Sequence, residues 1–368
     1  MLTPTGAKKG YPACTGLTYI RDLSCRVGAF SNYSTLFPSR LVRASGTASP
    51  LLRSEHEPRF TYAFEGRQLT LQDYLDKHPV TGFLIAKDNF ILVERYQYAR
   101  KDTDRLTSFS MAKTIVGFLI GIALKERAIR SIDEVAETYV PGLKDSEYGR
   151  TPLKALLQMA SGVAFKEDYL DTSSDIYTLA RLTLEQDPAG GLLAVKRFNA
   201  RRAPPGQVFS YSSAESEVLG LVLAAATGRS VAEYARDKLW QPLGAEADAT
   251  WNIDSTGQEV TFAYFNAVLR DWARLGLMLA HRDSWSGKEI VPKEWVVAST
   301  TAQPDSPSPT YGYHVWLAHG GRFSLRGLRG QYVLVDPVAK LVLVQTALSN
   351  PDVRELTALW NALRATVQ

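Results

Sequence analysis

An apolar run, Ile115–Leu124, is set between Lys113 and Lys125. A span across a bilayer takes about 18 or more such residues, and this run is much shorter. With a cation close to each end, it reads as a core helix from Ser110 to Arg130, apolar on nearly all sides and therefore central. Other elements must wrap such a helix on every side. A chain of 368 residues that is 45% hydrophobic has the material to do so. At about 100–200 residues per domain, the length suggests two domains or one large interrupted one.

Strand signals lie near both ends. Gly82–Lys87 and Asn89–Tyr98 are β-rich runs around Asp88-Asn89, and Tyr332–Val335 and Leu341–Thr346 flank the turn Asp336–Lys340. From Ser131 to Ala245 the pattern is mostly helical, punctuated at Pro141-Gly142, Ala160–Gly162 and Pro204–Gly206. Further helices are expected at Ala214–Thr227, Arg270–Arg282, Pro292–Thr301 and Pro351–Val367. Hairpins from both ends around a helical middle predict an α/β (α+β) fold, an antiparallel sheet flanked by helices with an all-helical domain inserted. The expected division is an irregular N-terminal extension over 1–75, a sheet domain from 76–110 and 250–368, and a mainly helical domain over 111–249.

Composition and absent motifs narrow the function. Lys and Arg number 42 against 38 Asp and Glu, with no dominant basic stripe, so nucleic acid is not an expected partner. There is no G-x-S-x-G, no P-loop, no G-x-G-x-x-G, no H-E-x-x-H and no C-x-x-C, and the five histidines lie apart. No metal and no organic cofactor is expected. Two cysteines, Cys14 and Cys25, cannot form a disulfide-rich scaffold. Reduced, partly buried thiols are the favoured reading, with pairing expected only in an oxidising compartment. Met1–Gly10 has a basic pair but no apolar stretch after it. As written, the chain reads as cytoplasmic, or as periplasmic or secreted if a signal was removed.

One positive signal remains, Ser110-Met-Ala-Lys113 at the start of the central helix. A spacing of three puts both side chains on one helical face. The helix N-terminus favours negative charge on the serine, and burial of the lysine favours a neutral amine able to take a proton. The competing reading is a serine N-cap followed by an ordinary helix lysine. A second element, Pro205-Gly-Gln-Val-Phe-Ser-Tyr211-Ser-Ser213, delivers a tyrosine between hydroxyl residues just before a helix. Tyr211 could relay a proton to a leaving group, or simply be a core tyrosine.

Taken in order, Ser110–Lys113, Thr151–Gly162, Pro205–Ser213 and Trp240-Gln-Pro-Leu-Gly244 resemble the serine β-lactamase and penicillin-binding superfamily. The resemblance runs from about residue 76 to the C-terminus. Glu167–Asp171, Arg270–Gly276 and Arg329–Pro337 are similar to the class C-like branch that holds esterases, D-aminopeptidases and 6-aminohexanoate-dimer hydrolases.

That resemblance implies Ser110 as acylated nucleophile, Lys113 as its base and Tyr211 as the tyrosine of the Y-x-N element. It implies an oxyanion hole from the N–H of Ser110 and one on a late strand. Leu325-Arg326-Gly327 is the best match to K-T-G and gives Leu328, with Arg329-Gly330 as the competing register. Tyr169 matches a loop tyrosine that closes over substrate. The Y-x-N asparagine is Ser213 here, the K-T-G lysine and threonine are missing, and an aspartate that favours aminohexanoate substrates is replaced near Leu179-Ala180.

Three features stay open. Trp316 could line the acyl pocket or pack in the core. Glu167, Asp168, Asp171 and Asp175 form a solvated acidic loop or one that favours amine-bearing substrates. Lys196, Arg197, Arg201 and Arg202 read as a solvated basic face. The expected activity is a serine hydrolase cleaving small esters or amides through an acyl-enzyme. β-Lactamase or D-aminopeptidase activity, or a catalytically silent binding module, are the competitors. A homodimer is a possible assembly, and the 1–75 extension either covers the active-site rim or mediates dimerisation.

Overall fold

The computed structural model describes residues 11–20, 22–188, 190–282 and 284–367; the reading of Met1–Gly10 lies outside them. Its main sheet has seven strands, drawn from both ends of the chain. In spatial order they are Trp316–Leu317, Phe323–Gly327, Gln331–Asp336, Leu341–Ala347, Val80–Lys87, Phe90–Tyr96 and Leu52–Arg53. All neighbours are antiparallel except the last pair, Leu52 and Arg53 running parallel to Phe90 and Ile91. Both expected hairpins are present. The first turns at Asp88-Asn89, where Asp88 takes a left-handed φ of 55°.

The central strands are apolar without a break because both faces are covered. Period two divides them: Leu84, Ala86, Val342 and Val344 enter the large core, whereas Phe83, Ile85, Leu341 and Leu343 enter a second. The second core lies under the C-terminal helix Val353–Val367 and the small hairpin Thr61–Phe64 with Arg67–Thr70. The opposite face carries the helix Leu269–His281. This helix comes close at Gly276, where a Cβ would stand 2.7 Å from Val342 and 2.8 Å from Val333. Its motif residues Asp271 and Arg274 form a buried network. Arg274 donates to Asp271, Glu246 and the Ser49 carbonyl at 2.8, 2.8 and 2.9 Å.

The central helix runs Met111–Lys125 and is buried from Met111 to Ala123. It stops short of Arg130 because Arg127 turns left-handed, φ 64°, and the N–H groups of Ala128 and Ile129 fold back onto the Ala123 carbonyl. The middle of the chain supplies the helices Leu153–Leu157, Asp175–Leu184, Gly190–Lys196, Ser213–Thr227 and Val231–Ala235.

Among the described residues of the N-terminal extension, 11–20 and 22–75, there is regular structure where an irregular course was expected. Leu23–Ala29 is a helix, and Ser39–Val42 is a strand paired with Ala249–Asn252 in a second, four-stranded sheet with Phe265–Ala267 and Leu106–Thr107. Tyr19, Phe30 and Tyr33 are buried in the large core. Phe30 meets Phe109 edge-on and Tyr33 stacks on Tyr264, with centroids 5.0 and 5.2 Å apart. The segment shows little periodicity because its partners lie far away in sequence. The favoured reading of free thiols is overturned as well. Cys14 and Cys25 form a disulfide, with Cα atoms 5.5 Å apart, that closes the loop carrying Tyr19 and Ile20.

Candidate active site

Ser110 is held by what precedes it. Leu106–Thr107 pairs with Phe265–Ala267, and Ser108 extends the match by donating its N–H to the Phe265 carbonyl and accepting the Phe265 N–H at Oγ, both at 3.1 Å. Phe109 then turns at φ 43°, a left-handed conformation that is costly for a bulky residue. The chain enters the central helix at Ser110, whose side chain makes no capping hydrogen bond. Ser110 thus stands at the N-cap position without capping, and its hydroxyl is left for Lys113.

Lys113 is 1% exposed. Its Nζ lies 3.0 Å from Ser110 Oγ, 3.1 Å from Ser213 Oγ and 2.7 Å from the Phe262 carbonyl. Burial pushes its pKa down to about 8, although Glu167 and Glu217 pull the other way. Tyr211 faces the same group, with Lys113 Nζ 5.2 Å from its ring centroid and its hydroxyl turned toward Ser110. Burial, then the charge of Glu167, raises the Tyr211 phenol far above its ordinary value, so it stays protonated. Trp316 stacks on Tyr211 at 5.5 Å and is itself covered by Arg326, its guanidinium 5.2 Å from the indole. Trp316 thus buttresses the tyrosine and is not among the residues lining the cleft.

The cleft at Ser110 encloses about 440 Å³ of empty space, counting its mouth. Tyr169, Ser213 and Leu328 line it, as does Ala180. Gly327 sits behind it, so close to the nucleophile segment that a Cβ there would be 2.1 Å from the Ser108 carbonyl oxygen. Among the described residues, neither the Ser110 N–H nor the Leu328 N–H donates to a protein acceptor. Sequence reasoning missed the wall formed by Tyr19, Ile20, Ile176, Tyr177 and Tyr264. Tyr19 and Ile20 come from the N-terminal segment and carry no local signal of that role.

The four acidic residues of the 167–175 loop part company. Asp168 accepts the Leu170 N–H, Asp175 accepts the Lys166 N–H, and Asp171 pairs with the Lys166 side chain. These three hold the loop and do not line the cleft. Glu167 turns inward and accepts from Ser213 Oγ at 2.6 Å, from the Ser213 N–H at 2.8 Å and from the Tyr169 hydroxyl. The basic cluster also divides. Arg201 is half-buried and binds Glu147 and the carbonyls of Ser161 and Glu147, so it fixes the loop before Tyr211.

The geometry agrees with the comparisons. The Beta-lactamase family model matches residues 70–368. The chain is 27% identical over 357 residues to the 6-aminohexanoate-dimer hydrolase of Paenarthrobacter ureafaciens, covering 92% of this chain and 88% of that one. A solved structure from Bacillus anthracis, named as a candidate 6-aminohexanoate-dimer hydrolase, superposes with a TM-score of 0.83 at 22% identity, covering 99% of this chain and 98% of that one. A family VIII carboxylesterase shares the fold at a TM-score of 0.58 and 15% identity, over 78% of this chain and 93% of that one. With a match that spans six of the seven strands of the main sheet, the central helix and every residue around Lys113, this chain belongs to the Beta-lactamase family and is a serine hydrolase resembling 6-aminohexanoate-dimer hydrolase.

Proposed function

We propose that the protein cleaves small esters or amides through an acyl-enzyme on Ser110. The observation that carries this reading is the buried Lys113 amine 3.0 Å from Ser110 Oγ, with a pKa pushed down to about 8. Lys113 takes the serine proton as Ser110 attacks the substrate carbonyl. The negative charge that develops on oxygen meets the N–H groups of Ser110 and Leu328; one such donor contributes about 2.7–4 kcal/mol. Protonated Tyr211 passes a proton to the leaving group, and water then releases the acid. Tyr169 covers the bound acyl group. The sheet portion, 76–110 with 250–368, carries the nucleophile and the oxyanion strand, and the helical portion over 111–249 brings Tyr169, Tyr211 and Ser213 over it.

The amide half of the reading draws on the likeness to the Paenarthrobacter hydrolase, and the ester half on the shared fold of the carboxylesterase. No described helix is long and apolar enough to cross a membrane. The Cys14–Cys25 bridge favours an oxidising compartment. Intact mass after incubation with a p-nitrophenyl ester or a fluorophosphonate tests the mechanism. An adduct on Ser110 is expected, absent in Ser110→Ala and formed slowly in Lys113→Ala. No adduct and no turnover would sink the reading.

A further inference from the structure

We infer that Glu167 is a positioning residue that fixes the direction of the Ser213 hydroxyl and so aims the electron pair of the Lys113 amine at Ser110. This rests on the serine-hydrolase reading above. A neutral amine has two N–H groups and one lone pair. Three oxygens surround Lys113 Nζ: Phe262 O at 2.7 Å, Ser110 Oγ at 3.0 Å and Ser213 Oγ at 3.1 Å. To act as a base toward Ser110, the amine must donate to the other two. The Phe262 carbonyl can only accept. The Ser213 hydroxyl could either accept or donate. If it donated to Nζ, it would occupy the lone pair that Ser110 needs.

Glu167 removes that ambiguity. Its Oε1 lies 2.6 Å from Ser213 Oγ and takes the hydroxyl hydrogen, leaving Ser213 with only a lone pair to offer Lys113. Its Oε2 takes the Ser213 N–H at 2.8 Å, and the Tyr169 hydroxyl donates to Oε1, so the carboxylate itself is held by three donors. An asparagine carbonyl at position 213 would be an acceptor without help. Serine there needs a second residue, and Glu167 is placed to be it.

The inference has a signature that a merely structural role lacks. The charged groups acting on Lys113 are Glu167 from the loop and, once it ionises as pH rises through about 8, Glu217 from the neighbouring helix; each favours the ammonium when charged, and Glu217 is common to every variant compared below. Tyr211 and Tyr169 face the site protonated, and His314, packed against the central helix, is held neutral by burial, with a pKa pushed down to about 4. Removing the Glu167 charge therefore lowers the Lys113 pKa and moves the acid limb of kcat/KM to lower pH.

The test compares wild type, Glu167→Ala, Glu167→Gln, Ser213→Asn and the double variant Ser213→Asn/Glu167→Ala on one p-nitrophenyl ester across pH. Glu167→Ala should lower kcat about ten- to hundredfold, the scale of one charge-assisted hydrogen bond, with a smaller change in KM. Glu167→Gln, which keeps an acceptor and loses the charge, should retain more kcat and show the downward shift of the acid limb. In the Ser213→Asn background, Glu167→Ala should cost less than about threefold, the mark of two residues acting as one unit. An equal loss in both backgrounds, a loss confined to KM, or an unmoved acid limb in Glu167→Gln overturns the inference. If Glu167→Ala does not fold, the acid limb of Glu167→Gln decides alone. A wild type without turnover or Ser110 adduct overturns the hydrolase reading, and the inference with it.

Discussion

Ser213 Oγ stands between Lys113 and Glu167, 3.1 Å from the amine and 2.6 Å from the carboxylate, although Lys113 and Ser213 lie 100 residues apart in sequence. The contact joins the start of the central helix to the start of the helix Ser213–Thr227, each buried along most of its length. Two helix N-termini and one loop carboxylate thus meet around a single amine.

The first prediction concerns that amine. Lys113 is a base only when neutral, and its pKa is pushed down to about 8. kcat/KM should therefore rise with pH through about 8 and then level off. Lys113→Arg keeps the charge but cannot release a proton at such pH, and should lose about 10²–10⁴ in kcat. Steady-state kinetics on a p-nitrophenyl ester between about pH 6 and 10 checks both. A profile flat across that range removes Lys113 from the role of base.

Gly327 offers a steric test. A Cβ there would stand 2.1 Å from the Ser108 carbonyl oxygen, a backbone atom that cannot swing aside, and 3.0 Å from the Gln331 Cβ. Gly327→Ala should push the strand Phe323–Gly327 away from the segment before Ser110. Expected are a loss of fluorophosphonate labelling and a stability loss of about 1–3 kcal/mol, the usual cost of overpacking. Val338→Ala, at an exposed turn, is the control for label and fold. Normal labelling in Gly327→Ala would mean that the strand does not position Ser110.

Glu217 makes stability depend on pH. Burial, reinforced by Asp254, raises its pKa to about 8 in the folded chain. The folded-state value lies above the unfolded one. Its contribution is therefore fully present below the unfolded value of 4.5 and is lost as pH rises through about 8. Glu217→Gln removes that titration and keeps an acceptor for the Thr261 N–H, now 2.8 Å away. Thermal melts should show a flatter decline for the variant than for wild type across that window. Parallel curves would show that Glu217 stays ionised when buried.

The disulfide ties stability to the cleft. Cys14 and Cys25 are 11 apart in sequence, and a loop of that size is worth about 2–3 kcal/mol when cross-linked. The loop contains Tyr19 and Ile20, which wall the cleft. Reduction, or the Cys14→Ser/Cys25→Ser variant, should lower stability by that amount and raise KM more than it lowers kcat. Denaturant titrations and kinetics with and without reductant measure both. Unchanged KM would mean that the wall stands without the bridge.

Much of the site was legible because its chemistry is local. Ser110 and Lys113 share a helical face through a spacing of three, and the apolar run after them announces a buried helix. Both hairpins could be read from alternation and their turns. In the sequence Glu167 is one of four acidic residues with Asp168, Asp171 and Asp175, in a loop that reads either as solvated or as favouring amine-bearing substrates. Nothing within the loop distinguishes the one carboxylate that turns inward, because its donor Ser213 is 46 residues away.

Near neighbours along the chain suffice for a buried central helix, hairpins at both ends and a serine–lysine pair on one helical face. The distant groups that complete them come from the packing of the whole chain. The strand Ser39–Val42 finds its partner at Ala249–Asn252, Tyr19 becomes a cleft wall, and Phe262, 149 residues beyond Lys113, supplies a carbonyl to its amine. Helical and strand periods are fixed by local backbone geometry. Contacts across hundreds of residues are fixed by how the sheet and helices pack, and no window of sequence contains them.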